Sequence, residues 1–435
     1  MPDMNGPGSE LPKKKKFISE RIVKQPMSRR QKLKRAAVFL FLAVMFGVIA
    51  AITFVLSIPF AKKYMGEEST KESQVVSIPK DEETSPTEPV LETMENETAP
   101  INELVEEAMS NYHFDMAAVT DIYNNLKQEG QKAGKSIVEV RAVKRGTDWF
   151  DNPIENTGQY AGAIIAGTNS ELLILVPNGA IEPSDAIYVT FYDGTEIEGR
   201  KKQADKITGL GIISVQTSDI PDDKLEAIQP FKLGNSYMVR TGDLVFSIGA
   251  PTGVPYSFDY GAVNYVAKNV QTTDGIAEII FANVRGNAEA GTFLLNISGE
   301  IIGWVTDRYQ SDTNQDSIIA EGISDYKGIL EKMSNGIPAA YLGVKGQEIT
   351  SEMAAEGVPE GIYVTESIFD GPAYTAGIQN GDIISAIDGD SVFTMKAFQT
   401  KIEGLKERQP VKVVVNRKGM EEYTELIYQV IMGER

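Results

Sequence analysis

The sequence predicts a mainly β protein, with one apolar helix near the N-terminus and a smaller α/β module at the C-terminus. From residue 136 onward, short apolar stretches alternate with glycine and Asp or Asn turns, a pattern typical of strands joined by tight turns. Residues 36–60 carry no charge, and a new pattern of strands with one helix begins after residue 336. A chain of 435 residues is also long enough for two or three domains.

Composition excludes several classes of site. The chain contains no cysteine, which rules out disulfides, zinc thiolates and cysteine nucleophiles. It contains one histidine, His113, so any mechanism that needs an imidazole must use this residue. Acidic residues are scattered without the spacing of metal ligands, and we expect neither a metal nor another cofactor.

The net charge of −19 is unevenly distributed. Residues 1–35 have a net charge of about +8 by count, which leaves about −27 for the rest of the chain. An acidic body argues against nucleic acid as a partner, because binding to the phosphate backbone depends on Lys and Arg.

The N-terminal 60 residues predict a membrane anchor. Residues 1–35 are basic and poor in apolar side chains, which favours a disordered cytoplasmic tail. The uncharged run 36–60 is long enough to cross a hydrocarbon core of about 30 Å. A cleaved signal peptide is the alternative, but the run exceeds the usual length and no clear cleavage site follows it. We therefore expect a single-pass membrane protein whose body lies outside the cytoplasm.

Two segments connect this anchor to the body. Residues 61–100 are acidic and rich in Ser, Thr and Pro, and they predict a disordered stalk. Residues 101–135 are predicted to be a helical connector, because apolar side chains recur there at helical spacing. Its helices are expected to pack on the body; self-association of the stalk is the alternative.

The body, residues 136–335, is predicted to be all-β and to end in a helix. The number and spacing of its strands suit either a pair of barrels or a sandwich. The ten predicted strands are 136–143, 160–165, 172–176, 186–191, 211–216, 243–248, 262–266, 276–281, 293–296 and 300–305.

Several motifs of the body occur in the order found in trypsin-like proteases of the HtrA (DegP) type. They are V-T-F-Y-D-G at 189–194, K-L-G-N-S at 232–236, S-I-G-A-P-T-G at 247–253, Y-G-A-V at 260–263 and the hairpin L-L-N-I-S-G-E-I-I-G at 294–303. The body therefore resembles that family. The resemblance implies two six-stranded β-barrels with an active cleft between them, and trimer formation, which is common in the family.

Alignment of these motifs with those of the family places other residues where the family has its catalytic triad. Gly179 falls at the histidine position, Gly209 at the aspartate position and Ala290 at the serine position. A serine hydroxyl needs an imidazole to accept its proton and a carboxylate to orient that imidazole. The sequence therefore predicts no catalytic residue and a pseudoprotease that is not an enzyme. The alternative is an active serine endopeptidase of envelope protein quality control. It would use a Ser–Lys dyad or a displaced serine, and would need Ser298 or Ser317 beside a buried lysine.

Residues 337–435 resemble a PDZ domain of the kind that follows HtrA protease domains. The run G-P-A-Y-T-A-G-I-Q-N-G-D-I-I at 371–384 and I-D-G at 387–389 carry the resemblance, together with Y-L-G-V at 341–344. It implies that backbone N–H groups of 341–344 receive the C-terminal carboxylate of a peptide, which lies opposite a helix at 394–404. Core packing is the alternative role of the two helix residues. The predicted peptide-binding residues are Tyr341, Leu342, Gly343, Val344, Phe398 and Ile402.

Together these patterns predict a membrane-anchored, inactive HtrA-like protein. Its expected partners are extended or C-terminal peptides of envelope proteins, which it would bind as a scaffold, chaperone or regulator.

Overall fold

The computed structural model describes residues 74–83, 116–147, 153–182, 184–310 and 317–435, and also Met45. The predicted tail at 1–35, the anchor at 36–60 apart from Met45, and the first part of the helical connector lie outside these residues. Across the described ranges, no helix is both long and apolar enough to span a bilayer. The described residues after Thr70 form one compact unit.

The first barrel closes through six antiparallel strands in the order β1-β2-β3-β6-β5-β4. A helix, α1 (Met116–Gly134), precedes it. Its strands are β1 (Ile137–Thr147), β2 (Pro153–Gly167), β3 (Glu171–Pro177), β4 (Ala186–Thr190), β5 (Glu196–Asp205) and β6 (Leu210–Gln216).

The second barrel has the same number of strands, in the order β10-β11-β12-β9-β8-β7. The short helix α2 (Asp222–Leu225) lies in the connection between the barrels, and α3 (Lys327–Ser334) follows the last strand. The strands are β7 (Leu244–Gly249), β8 (Ser257–Thr272), β9 (Gly275–Ala282), β10 (Thr292–Leu295), β11 (Ile301–Val305) and β12 (Ile318–Gly322). The double six-stranded barrel is thereby confirmed.

A shared apolar cluster joins the two barrels. Leu173 and Ile212 of the first barrel and Phe293 and Trp304 of the second belong to it, and each is at most 3% exposed. Burial of a side chain of this size contributes roughly 1.5–3 kcal/mol. The cleft between the barrels is therefore bounded by a packed core.

The C-terminal module is the predicted PDZ domain, an α/β unit built on the sheet β14-β15-β16-β18-β19. The first and last of its strands, β13 and β20, pair with each other. Its elements are β13 (Ala340–Tyr341), β14 (Val344–Glu348), α4 (Ser351–Ala355), β15 (Ile362–Ser367), α5 (Pro372–Ala376), β16 (Ile383–Ile387), β17 (Asp390–Ser391), α6 (Met395–Gly404), β18 (Pro410–Lys418), β19 (Tyr423–Ile431) and β20 (Gly433–Glu434).

Residues 74–83 differ from the disordered stalk predicted over 61–100. The side chain of Asn335 accepts from the N–H of Val76 at 2.9 Å and donates to its carbonyl at 2.8 Å. The N–H of Ile78 donates to Glu331 at 2.6 Å, and the side chains of Val76 and Ile78 pack against the core of the barrels. The sequence carries no signal for these contacts, because the three apolar side chains of 74–83 follow neither a helical nor a strand spacing. They form a segment bound to α3.

Candidate functional site

A cleft between the barrels holds the three positions aligned with the catalytic triad. Gly179 follows β3, Gly209 precedes β6, and Ala290 precedes β10. All three line one cavity of about 740 Å³. The backbone holds the two glycine loops together, because the N–H of Asn178 donates to the carbonyl of Gly209 at 2.8 Å. The fold thus brings together residues that are 30 and 81 positions apart in the sequence.

The loop before β10 is fixed by its own hydrogen bonds and by the first barrel. The N–H of Ala290 donates to Oδ1 of Asn287 at 2.8 Å. The carbonyl of Ala290 accepts from Ala161 of β2 at 2.7 Å, and that of Gly291 accepts from Ala250 at 2.8 Å. Backbone N–H groups stabilise an oxyanion only when they point at it without another acceptor. In this conformation the N–H of Ala290 is already bound.

The described residues that line the cleft include no histidine, serine or cysteine. Their hydroxyl groups belong to Tyr160 and to three threonines. The two serines considered as alternatives lie elsewhere: Ser298 is in the turn between β10 and β11, and Oγ of Ser317 accepts from Asn264 at 2.7 Å. Neither is among the described lining residues.

An arginine that the sequence motifs did not single out spans the cleft. Arg308 lies beyond β11, and its guanidinium donates to the carbonyl of Thr208 at 3.3 Å in the first barrel. It also donates to the carbonyl of Ile207 and to Oε1 of Glu321, which is fully buried in β12. Burial raises the pKa of Glu321, while the charge of Arg308 opposes that rise. No sequence signal pairs these residues, because the contact depends on the closure of both barrels.

The second candidate site is the loop 341–344, which holds a carboxylate. The N–H of Leu342 donates to Oδ2 of Asp274 at 2.7 Å. The N–H groups of Gly343 and Val344 donate to Oδ1 of the same residue at 2.9 and 3.0 Å. Asp274 belongs to the two-residue turn between β8 and β9, and it is 2% exposed. Its carboxylate therefore stands where the resemblance places a peptide's C-terminal carboxylate.

The rest of the β8–β9 hairpin tip fills the groove beside this loop. The N–H of Asp274 donates to the carbonyl of Val344 at 2.7 Å, as a paired strand would. Ile276 packs against the core of the PDZ domain, to which Phe398 and Ile402 of α6 belong. Phe398 is fully buried and Ile402 is 3% exposed. Phe398 and Ile402 thus have the core-packing role given above as their alternative, and the hairpin tip lies against the core to which they belong.

Two further acidic residues also carry no sequence signal. Asp325, which is 6% exposed, accepts from the hydroxyl of Tyr237 at 2.7 Å, and its carbonyl accepts from Gln399 of α6 at 2.9 Å. Burial raises the pKa of the Asp325 carboxyl. Asp205 accepts from Arg435 at 3.2 Å, with both side chains at most 7% exposed. In the sequence these residues, like Asp274 before Gly275, resemble ordinary turn carboxylates.

Comparison with known proteins finds similarity in both parts of this fold. A family model of the trypsin-like peptidase domain matches residues 162–303, and a model of the PDZ domain matches residues 340–427. A relative, the serine protease Do-like HtrA of Bacillus subtilis (strain 168), is 27% identical over 285 residues. A probable periplasmic serine endoprotease, DegP-like, of Pseudomonas fulva (strain 12-X) is 25% identical over 256 residues.

These matches cover parts of both partners. The match to the Bacillus protein covers 61% of this chain and 62% of that relative, and the match to the Pseudomonas protein covers 57% and 51%. The chain therefore spans little more than half the length of the curated relatives it matches. Among solved structures, an HtrA-type protease AlgW with decapeptide superposes with a TM-score of 0.50 at 21% identity. That match covers 71% of this chain and 98% of the AlgW chain, and it supports the fold.

The prediction that this chain is not an enzyme is contradicted by these comparisons. The relatives are named serine protease and serine endoprotease, and the matching domain model is that of a peptidase. The prediction considered three positions in a single sequence. It set these positions above the resemblance to proteases, and the matches to a peptidase domain over 162–303 and to named proteases favour the alternative, a serine endopeptidase.

Proposed function

Because this chain is an HtrA-type protein, a trypsin-like double barrel followed by a PDZ domain, we propose that it binds polypeptides of the cell envelope at two places. The loop 341–344 binds a C-terminal carboxylate, and the cleft between the barrels binds an extended segment. Both kinds of recognition use backbone groups, which makes them tolerant of side-chain sequence.

The carboxylate of Asp274 carries the first half of this proposal. Three successive N–H groups of the loop converge on it at 2.7–3.0 Å. A hydrogen bond to a charged group contributes roughly 1.5–3 kcal/mol. Gly343 has φ +85°, a conformation that lets its N–H point at the same carboxylate as the N–H groups of Leu342 and Val344. These three N–H groups are called the carboxylate seat. A peptide C-terminus offers the same two oxygens as the aspartate side chain.

The cleft offers groups that suit a peptide backbone. Oδ1 of Asn178 is buried, and within the described residues it has no hydrogen-bond partner. A turn of the Asn178 side chain into the cleft would let this oxygen accept from a peptide N–H. Lys206 and Arg308 line the same cavity together with Glu289 and Asp307, so its charged side chains are of both signs. These features support an extended polypeptide as the occupant.

An envelope location accompanies this proposal. It is supported by the name of the Pseudomonas relative, which is described as periplasmic, and by the uncharged run 36–60 behind a basic tail. We propose that this run anchors the chain in the membrane with the barrels outside the cytoplasm. Trimer formation stays a prediction.

The carboxylate loop is tested with two pools of fluorescent random hexapeptides, one ending in a free valine carboxylate and the other in valine amide. We expect the full chain to bind the carboxylate pool at least tenfold more tightly, as measured by fluorescence anisotropy. Gly343→Glu should abolish this difference, because it places a negative charge and a side chain at the seat.

Gly389→Glu is the matched control. Gly389 also has positive φ (+83°), and a Cβ added to it meets no atom within 4 Å. It should retain the preference for the carboxylate pool. A preference for the carboxylate pool that Gly343→Glu keeps in full would refute the proposed loop.

Hydrolysis of the bound polypeptide is a second candidate function, which the trypsin-like match and the protease relatives favour. Release of fluorescent fragments from labelled casein by the full chain tests it directly. Labelling by a fluorophosphonate, followed by mass spectrometry of the modified peptide, would identify a serine nucleophile. Absence of both signals at enzyme concentrations that saturate the substrate would reject this candidate.

Ala290→Ser is expected to change the rate of casein hydrolysis by less than twofold. The new hydroxyl would have no imidazole to accept its proton, because no described residue is a histidine and position 179 is glycine. Ala288→Ser, in the same loop, is the control for adding a hydroxyl to the cleft. A tenfold increase confined to Ala290→Ser would show that another group activates a serine at this position.

A further inference from the structure

The carboxylate seat of the PDZ domain is fully used by the chain itself. Each backbone N–H has one proton, and those of Leu342, Gly343 and Val344 all donate to Asp274. A second carboxylate cannot bind the same three groups at the same time. Two carboxylates at one seat would also repel each other in a site shielded from water.

The hairpin tip imitates more of a peptide than its terminal charge. The N–H of Asp274 donates to the carbonyl of Val344, the next acceptor along β14. Two residues later, Ile276 contributes an apolar side chain to the PDZ core, and its N–H donates to Oε1 of Gln399 at 3.4 Å. The tip therefore lies between β14 and α6, where an added peptide strand would lie.

The backbone of the tip is shaped for this position. Asp274 has φ +62°, a left-handed conformation that Asp and Asn tolerate better than other residues with side chains. The buried carboxylate loses its hydration, which raises its pKa, and the loop N–H groups offset part of this cost. The charge of Arg435 also favours the ionised form. Attraction and desolvation therefore oppose each other at the Asp274 carboxylate.

We propose that the β8–β9 hairpin is a tethered ligand of the PDZ domain and that a free C-terminus binds only after Asp274 leaves the seat. This inference rests on the proposed binding of C-terminal carboxylates. The apparent dissociation constant for a peptide is then the intrinsic constant divided by the fraction of molecules whose seat is open. Removal of the Asp274 carboxylate frees the three loop N–H groups and weakens the hold of the hairpin tip on the PDZ domain, so a larger fraction of molecules is open to a peptide.

The experiment uses the full chain and the two hexapeptide pools described above. Asp274→Gly removes the carboxylate and suits positive φ, so we expect it to fold. It should bind the carboxylate pool at least tenfold more tightly than the unchanged chain. Asp274→Asn, which also tolerates this backbone, should bind more tightly by a smaller factor. Thr273→Ala, a change in the same turn, is the control and should alter the affinity less than twofold.

Hydrogen–deuterium exchange provides a second measurement on the same proteins. Without peptide, the N–H groups of 342–344 should exchange faster in Asp274→Gly than in the unchanged chain. If all proteins bind the carboxylate pool equally, the tethered ligand is refuted while the proposed function stands. Unchanged exchange at 342–344 would also refute it. If no protein prefers the carboxylate pool, the proposed function fails, and this inference fails with it.

Discussion

Gly291→Ala is expected to lower the free energy of unfolding by about 3 kcal/mol. Gly291 has φ +91°, and an added Cβ would lie 2.5 Å from the carbonyl oxygen of Ala161 and 3.0 Å from the ring of Pro177. Both neighbours belong to the first barrel, and the oxygen is part of the backbone. One methyl group would therefore force the barrels apart at the cleft.

Gly194→Ala separates this clash from backbone strain. Gly194 has φ +85°, but a Cβ added there meets nothing within 4 Å. It should lose only about 1 kcal/mol, which is the usual cost of alanine at positive φ. Thermal and urea unfolding of the two variants, followed by circular dichroism, measure the difference. Equal destabilisation would show that the contact between barrels carries no cost beyond strain.

Asp81→Ala is the second substitution for which we expect a large effect, again about 3 kcal/mol. Asp81 lies in segment 74–83, and its Oδ1 accepts from the ammonium of Lys327 at 2.9 Å, with the two side chains 15% and 5% exposed. It also accepts from the hydroxyl of Ser324 at 2.6 Å. Removing one member of a buried pair leaves an uncompensated charge, which typically costs about 3–5 kcal/mol.

Glu82→Ala, at an exposed position of the same segment, is the control and should be nearly neutral. Combining Asp81→Ala with Lys327→Met should recover much of the loss, because an apolar side chain in place of a buried charge is often neutral or stabilising. Limited proteolysis at 74–83 should be faster in Asp81→Ala than in the unchanged chain, and it should be unchanged in Glu82→Ala. If Asp81→Ala unfolds like the unchanged chain, the contact of this segment with α3 is not stabilising.

The strands missed in the sequence show what apolar alternation can and cannot detect. β5 has charged and polar residues at most positions, and one of its inward positions is Gly199, where a Cβ would meet Val189 at 3.1 Å. The neighbouring side chain fills the space, so the strand carries no apolar signal there. β12 has the opposite problem, since all five residues are buried, including Glu321. A short continuous run does not reveal its period.

The candidate sites were predictable to different degrees. The loop 341–344 has a local sequence pattern, and that pattern alone is enough to predict it. Asp274, whose carboxylate binds to this loop, has no such pattern. It lies 68 residues before Leu342 in the sequence and resembles an ordinary residue of a hairpin turn. The cleft positions Gly179, Gly209 and Ala290 could be predicted only by aligning several motifs of the body with those of the family. The contact between Arg308 and Glu321 required the closed barrels.

The hairpin in the PDZ groove has a consequence for how concentration affects peptide binding. Asp274 and the loop 341–344 belong to one polypeptide, so the competing carboxylate has a fixed effective concentration, which is of millimolar order for short flexible connections. Dilution of the protein does not lower it. The peptide concentration that half-fills the seat should therefore be the same in a dilute assay and in a crowded envelope, and only the local density of exposed chain ends should change the outcome.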